Sequence, residues 1–257
     1  MTEDQEAAAR LTGHLRELRK RLIISVIALV IGFAISYFFS ERLYGVLVSP
    51  LIPVMPEGSE FIAFTGVVEP FFVYIKVAFL GAAALASPVI FFEIWSFVAP
   101  GLYSTEKRWF LATVFFSCLL FISGIVFAFF VVFPFAFKFL MSYSGPQLKP
   151  FISMNSYFSL VTRLLIAFGV VYQLPLAMLV LARTGVVTAA RFLSWWRYAV
   201  IGIVIASALL TPTPDAFNQM LMAGPLLILY CLGVLLAKIF GKEKVEAEVS
   251  EDKTDEQ

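Results

Sequence analysis

The chain has 257 residues, 60% of them hydrophobic and 14% charged, with a mean hydropathy of +0.90 and a formal net charge of +1. Soluble domains carry roughly 25% charged residues, so this composition excludes an ordinary soluble domain and reads as an integral membrane protein. One histidine and two cysteines, with no clustered Cys/His/Asp set, argue against a metal site; neither a cofactor nor a nucleic-acid partner is expected.

Residues 1–21 begin acidic, with Glu3, Asp4 and Glu6, and turn basic. The apolar run from Leu22 outlasts the roughly 7–15 residues of a secretory h-region and no small-residue cleavage site follows, so the first span is expected to stay in the protein. Leu11, Leu15, Leu18 and Leu22 recur on one face and predict an amphipathic helix over 11–22. A span needs about 20 apolar residues, and six are predicted, at 22–40, 72–96, 109–140, 156–181, 196–210 and 218–237. The third is long enough to tilt or emerge from the bilayer; the last two read as short, with TPTPD (211–215) leaving little loop between them. The first outer segment, 41–71, alternates apolar runs with Pro50, Pro53 and Pro56, which fits short interfacial helices kinked by proline. Pro88, Pro134, Pro175 and Pro225 fall inside spans, and each frees a backbone carbonyl that a neighbour must satisfy. The expected fold class is an all-α integral membrane protein of six transmembrane helices, several of them proline-kinked, with short interfacial helices in the first outer segment. Its regions are an N-terminal tail and amphipathic helix (1–21), the six-span domain (22–237) and an acidic, disordered tail (238–257). Cys118 and Cys231 lie in apolar runs and read as small buried side chains rather than a disulfide.

Orientation follows from the Lys/Arg bias. With the N-terminus inside, fourteen basic residues fall on inner segments against three outside, Arg42, Lys138 and Lys149. Both termini are therefore expected in the cytoplasm. Lys76 and Arg163 lie within spans near their outer ends, where long side chains snorkel.

The acids are the more informative set. Ten of the eighteen lie in the two tails, and Glu41, Glu57, Glu60, Glu69 and Asp215 fall at or beyond the outer surface. Only Glu17, Glu93 and Glu106 remain on the inner side of the helical body. Glu17 stands among His14, Arg16, Arg19, Lys20 and Arg21 in HLRELRKRLI (14–23). It reads either as an i,i+4 partner of Arg21, worth about 0.2–0.5 kcal/mol, or as half of a site for a cationic guest. Glu106, in APGLYSTEKRW (99–109), reads either as a carboxylate favoured by a helix N-terminus or as the other half. Two separated carboxylates suit adjacent arginines of an extended peptide, whose side chains alternate in direction, and arginine matches a carboxylate through two parallel bonds that lysine cannot copy.

HLRELRKRL (14–22), SPLI (49–52), PFF (70–72), FVAPGLYSTEKR (97–108), FVVFPFAF (130–137), FGVVYQLP (168–175) and LLTPTPDAFNQ (209–219) together resemble the TatC family, the multispanning core subunit of the twin-arginine protein translocase. The match runs from about residue 12 to 237. The resemblance implies a receptor and scaffold that exports folded proteins across the cytoplasmic (inner) membrane, driven by the proton-motive force. It implies as partners the single-span subunits TatA and TatB, the twin-arginine signal peptides of cargo proteins, membrane lipids, and further copies of the chain in a multi-subunit complex. The family's signal-recognition carboxylates fall on Glu17 and Glu106, and Arg19, Phe97, Pro100, Leu102 and Tyr103 fall on the same motifs. Pro50, Gln173 and Asp215 occupy family positions of structural or partner-contact character. The family often has a glutamate where this chain has Gln173; a glutamine can bond a partner helix in lipid but cannot carry a proton, so no proton relay is expected through it.

The competing reading is a secondary transporter of a small solute, which needs an ionisable cavity at the midplane and symmetric broken helices. The sequence offers Gln173 there and no convincing internal repeat. An intramembrane enzyme lacks any Ser/His/Asp or metal constellation within the spans, and none is expected. Because the inner face is strongly basic, binding of a cationic peptide is expected to need anionic lipid or a partner subunit.

Overall fold

The computed structural model describes residues 3–55, 62–64, 66–98, 107–142, 151–211 and 215–241. Among the described residues, five helices are long and apolar enough to cross a membrane. Lipid offers backbone groups no hydrogen-bond partners, so apolar runs of this length close their bonds within the helix.

The first helix, α1 (Glu3–Phe38), runs without a break from the N-terminal tail into the first span. The amphipathic stretch expected before Leu22 is thus its extension rather than a separate element. Interfacial structure follows as expected: α2 (Ser40–Val48), a turn through Pro50, and a 3-10 turn over Ile52–Val54. The second span is α3 (Glu69–Val98). The third comprises α4 (Lys107–Phe127), a π-helical turn (Ala128–Val132) and α5 (Phe133–Met141). The fourth comprises α6 (Met154–Val171) and α7 (Leu174–Arg183). A short helix, α8 (Ala189–Ser194), leads to α9 (Trp196–Leu210), and the last span is α10 (Ala216–Phe240). Of the two final spans expected to be short, only α9 is, with 15 residues; α10 has 25 and needs no thinning of the bilayer. The acidic tail lies outside the described residues.

The four prolines act in two ways. Pro134 and Pro175 each stand at the first turn of a new helical segment, where a missing N–H costs nothing. The chain accommodates them upstream, by the π turn before Pro134 and by a turn at Tyr172–Gln173 before Pro175. Pro88 and Pro225 lie inside continuous helices. Pro88 cannot donate to the carbonyl of Ala84, and the hydroxyl of Ser87 donates to that carbonyl instead, at 2.8 Å.

Small residues set the helix spacing, since lipid supplies no hydrophobic drive between spans and close van der Waals contact must do so. A methyl on Gly32 would stand 3.1 Å from the backbone oxygen of Ala82, and one on Gly124 only 2.6 Å from that of Phe168. A methyl on Gly169 would in turn stand 2.6 Å from the Phe121 ring. The core between the third, fourth and last spans is aromatic and aliphatic, with Phe133, Phe158, Leu164, Leu165, Phe168 and Met222 fully enclosed. Away from the N-terminal face, Tyr157 donates to the carbonyl of Leu47 at 2.7 Å, and Ala63 pairs with Ser153 as an isolated bridge. Cys118 and Cys231 are free thiols; Cys231 is exposed, correcting the expectation that it is buried.

Candidate functional site

At the N-terminal face, the extension of α1 lies antiparallel to the end of α3. Their register is fixed at several depths: His14 stacks on Phe97 with ring centroids 4.4 Å apart and planes at 21°, Arg21 meets Glu93, and Gly32 meets Ala82. Arg21 is the centre of the polar contacts. Its Nε and Nη2 both donate to Oε1 of Glu17, at 3.1 and 2.5 Å, and its Nη1 donates to Oε2 of Glu93 at 3.1 Å. The Glu17 side chain is 44% exposed, that of Glu93 only 11%. A cleft of about 130 Å³ beside this network is lined by Leu18, Arg21, Leu22, Ser25, Glu93 and Phe97, among others.

Glu17 therefore makes the i,i+4 contact that its sequence spacing allows, and it also joins a two-helix network that spacing alone does not show. Arg19 is exposed and lines a shallow groove with Gly13, Arg16, Glu17 and Lys20. Glu106, Pro100, Leu102 and Tyr103 lie outside the described residues. Sequence reasoning counted Glu93 among the inner acids but gave it no role. The indication was available: a lone carboxylate in the apolar run FFEIWSF requires a partner, and Arg21 is the last base before the first span.

Gln173 sits where the fourth span breaks. Its amide donates to the backbone carbonyl of Ser117 on the third span at 2.8 Å, while its own oxygen is buried without a hydrogen-bond partner among the described residues. Ser117 in turn accepts from the indole N–H of Trp95 on the second span, at 2.6 Å. Three spans are thus joined by polar contacts around Ser117, which is fully buried.

On the opposite face Asp215 is the N-cap of α10: its Oδ1 accepts from the backbone N–H of Asn218 at 2.7 Å and its Oδ2 from the Asn218 amide at 3.0 Å. Pro50 is half-buried beside the fully buried Leu51. Lys76 does not simply snorkel: its ammonium bonds Asn155 and Ser159 on the fourth span, at 2.5 and 2.7 Å. Glu69, buried at the start of α3, accepts from the Ser153 hydroxyl and the backbone N–H of Asn155, at 2.8 and 2.5 Å, and so serves the start of α6.

A helical, multispanning body with few ionisable groups at mid-depth among the described residues defines a membrane scaffold presenting a polar N-terminal face. The comparisons make this specific. The chain belongs to the TatC family: the model described as Sec-independent protein translocase protein (TatC) matches residues 13–225. Among similar curated proteins, the TatC of Desulforapulum autotrophicum is 43% identical over 240 residues, covering 93% of this chain and 88% of that one. The TatC of Aquifex aeolicus is 40% identical over 238 residues (92% and 98%), and that of Escherichia coli K12 is 38% identical over 230 (90% and 88%). A crystal structure titled as the twin-arginine translocase receptor TatC in DDM superposes with a TM-score of 0.78 at 37% identity, covering 88% of this chain and 99% of that one. The chain is thus a core component of the Sec-independent protein translocase, and nothing in these matches supports a small-solute transporter.

Proposed function

We propose that this chain is the receptor of its translocase: the N-terminal face lies in the cytoplasm, both termini included, and binds the twin-arginine region of a cargo signal peptide before the folded cargo crosses the inner membrane at the expense of the proton-motive force. Glu17 is the guest carboxylate on α1, with Glu106 as its companion; Arg19, Phe97, Pro100, Leu102 and Tyr103, which fall on the family's motifs, take part in binding the peptide. The observation that carries this reading is the exposed Glu17 carboxylate. It stands on the continuous N-terminal extension of α1 beside an apolar cleft, and its second oxygen takes no bond from the described residues. A carboxylate so placed can take a guest guanidinium.

TatA and TatB, as single-span subunits, pack on the lipid-facing sides near the break at Gln173, whose amide ties the fourth span to the third. Further copies of the chain and anionic lipids complete the assembly; the lipids offset the basic face that would otherwise repel a cationic peptide. The test is site-specific photo-crosslinking of a twin-arginine signal peptide in membranes. Glu17→Ala and Glu106→Ala are each expected to weaken crosslinking at unchanged protein level. Wild-type crosslinking in the double variant refutes the assignment.

A further inference from the structure

Arg21 presents to Glu17 the same chemical group that the guest would bring. We infer that Arg21 is a built-in occupant of the guanidinium site at Glu17, and that Glu93 is the carboxylate that retains Arg21 when a guest arginine takes its place. This rests on the reading of Glu17 as the guest carboxylate.

The two contacts of Arg21 differ in how easily they break. The bond to Glu17 joins i and i+4 on one helix, is open to water, and uses a single oxygen, Oε1. Pairs of this kind contribute little, because water and salt compete for both partners. The bond to Glu93 crosses from α1 to α3 and serves a buried carboxylate. Breaking it leaves a charge without a partner in a poorly solvated place. A guest guanidinium arriving at Glu17 therefore displaces the weaker contact and leaves the stronger one intact. Arg21 loses its two donors to Glu17 but keeps Nη1 on Glu93, so no buried charge is uncovered. Glu93 thus lowers the cost of vacating Glu17, and without it Arg21 has Glu17 as its one acidic partner among the described residues.

The test is equilibrium titration of a labelled peptide carrying two consecutive arginines against the purified full-length chain in nanodiscs containing anionic lipid. Glu93→Gln confines Arg21 to Glu17 and is expected to weaken binding roughly five-fold, the scale of coupling between linked sites. The double variant Arg21→Gln/Glu93→Gln removes the internal occupant without leaving a buried carboxylate, and is expected to bind roughly five-fold tighter than wild type by the same linkage. Opposite signs within one pair of substitutions cannot arise from damage to the fold, which thermal unfolding of each variant checks independently. If Glu93→Gln binds as wild type, or the double variant binds no tighter, the inference is overturned. Glu17→Gln separates the two levels. If it binds as tightly as wild type, the reading of Glu17 falls and the inference with it; if it weakens binding while the other variants behave as wild type, only the inference falls.

Discussion

Glu69, at the first turn of one span, holds the first turn of another: its carboxylate takes the backbone N–H of Asn155, 86 positions further along the chain, at 2.5 Å. The same carboxylate accepts from the Ser153 hydroxyl and from the backbone N–H of Gly66 at 3.2 Å. A helix N-terminus leaves N–H groups unsatisfied and favours a negative charge, so one buried side chain ties the segment between the first two spans, the second span and the fourth span together.

Replacing Glu69 by Leu leaves those donors unserved and is expected to cost about 1–3 kcal/mol, the usual penalty for a buried donor left without a partner. Glu69→Gln keeps the acceptor oxygen but loses the charge, and is expected to cost less. Thermal unfolding in detergent ranks the two; equal melting temperatures for wild type and Glu69→Leu would show that the capping contact contributes nothing.

Asp215 caps α10, and losing an N-cap costs about 0.5–2 kcal/mol. Asp215→Ala is expected to lower stability by that amount, whereas Asp215→Asn or Asp215→Ser retains most of it. Export assays on the three variants then separate structure from recognition. Loss of export in Asp215→Asn with an unchanged melting temperature would give the aspartate a role beyond capping.

The glycines at helix contacts predict a sharp contrast. At Gly124 an added methyl meets the Phe168 backbone oxygen at 2.6 Å, whereas at Gly202 it meets nothing within 4 Å. Gly124→Ala is expected to destabilise by about 1–3 kcal/mol through overpacking, while Gly202→Ala is expected to be neutral or slightly favourable, because alanine is the better helix former. Melting curves of the two variants settle the matter, and equal losses would contradict the packing description.

Arg183, at the N-terminal-face end of the fourth span, lies over the Trp109 ring with its guanidinium carbon 4.0 Å from the centroid. Arg183→Lys keeps the charge but loses the planar stack and is expected to cost about 0.5–1 kcal/mol, the value of such a contact at an accessible site. Tryptophan emission reports the loss directly; an unchanged spectrum and melting temperature would show that the stack has no energetic weight.

Hydropathy alone placed the spans within a few residues, because a helix in lipid has no alternative and its length is set by the bilayer. Interfacial helices after the first span were also legible, from prolines breaking an apolar segment. Three features were not. The π turn before Pro134 and the break before Pro175 differ from the continuous helix at Pro88, yet all three are prolines in apolar runs; what separates them includes a serine at position 87 able to serve the orphaned carbonyl. The Arg21–Glu93 bond depends on which helices neighbour each other and at what depth. Periodicity within one helix carries no such information. For the same reason Glu17 could be read only against its own helix, where Arg21 is its i,i+4 neighbour. Gln173 was expected to bond another helix; that its partner is a backbone carbonyl, with its own oxygen buried and unbonded among the described residues, follows from the break that presents it.

The π turn has a consequence for the third span as a whole. Successive residues of an α-helix advance by about 100°, and a π turn inserts one extra residue into that count, so the two halves of the span are out of phase. On the near side Phe110 and Phe121 point at Phe92 and Phe91 of the second span, at centroid distances of 5.4 and 5.6 Å. Beyond the turn Phe137 stacks on Tyr157 of the fourth span at 5.3 Å. The span works like one shaft with two keyways cut at different angles. Deleting a single residue from 128–132 would leave its hydropathy, and hence its insertion, almost untouched. It would let the turn close to a regular α-helix with Phe133 and Phe137 still in their sockets, whereas the same deletion within α4, which has no extra residue to give up, would rotate the two halves by about 100° against each other.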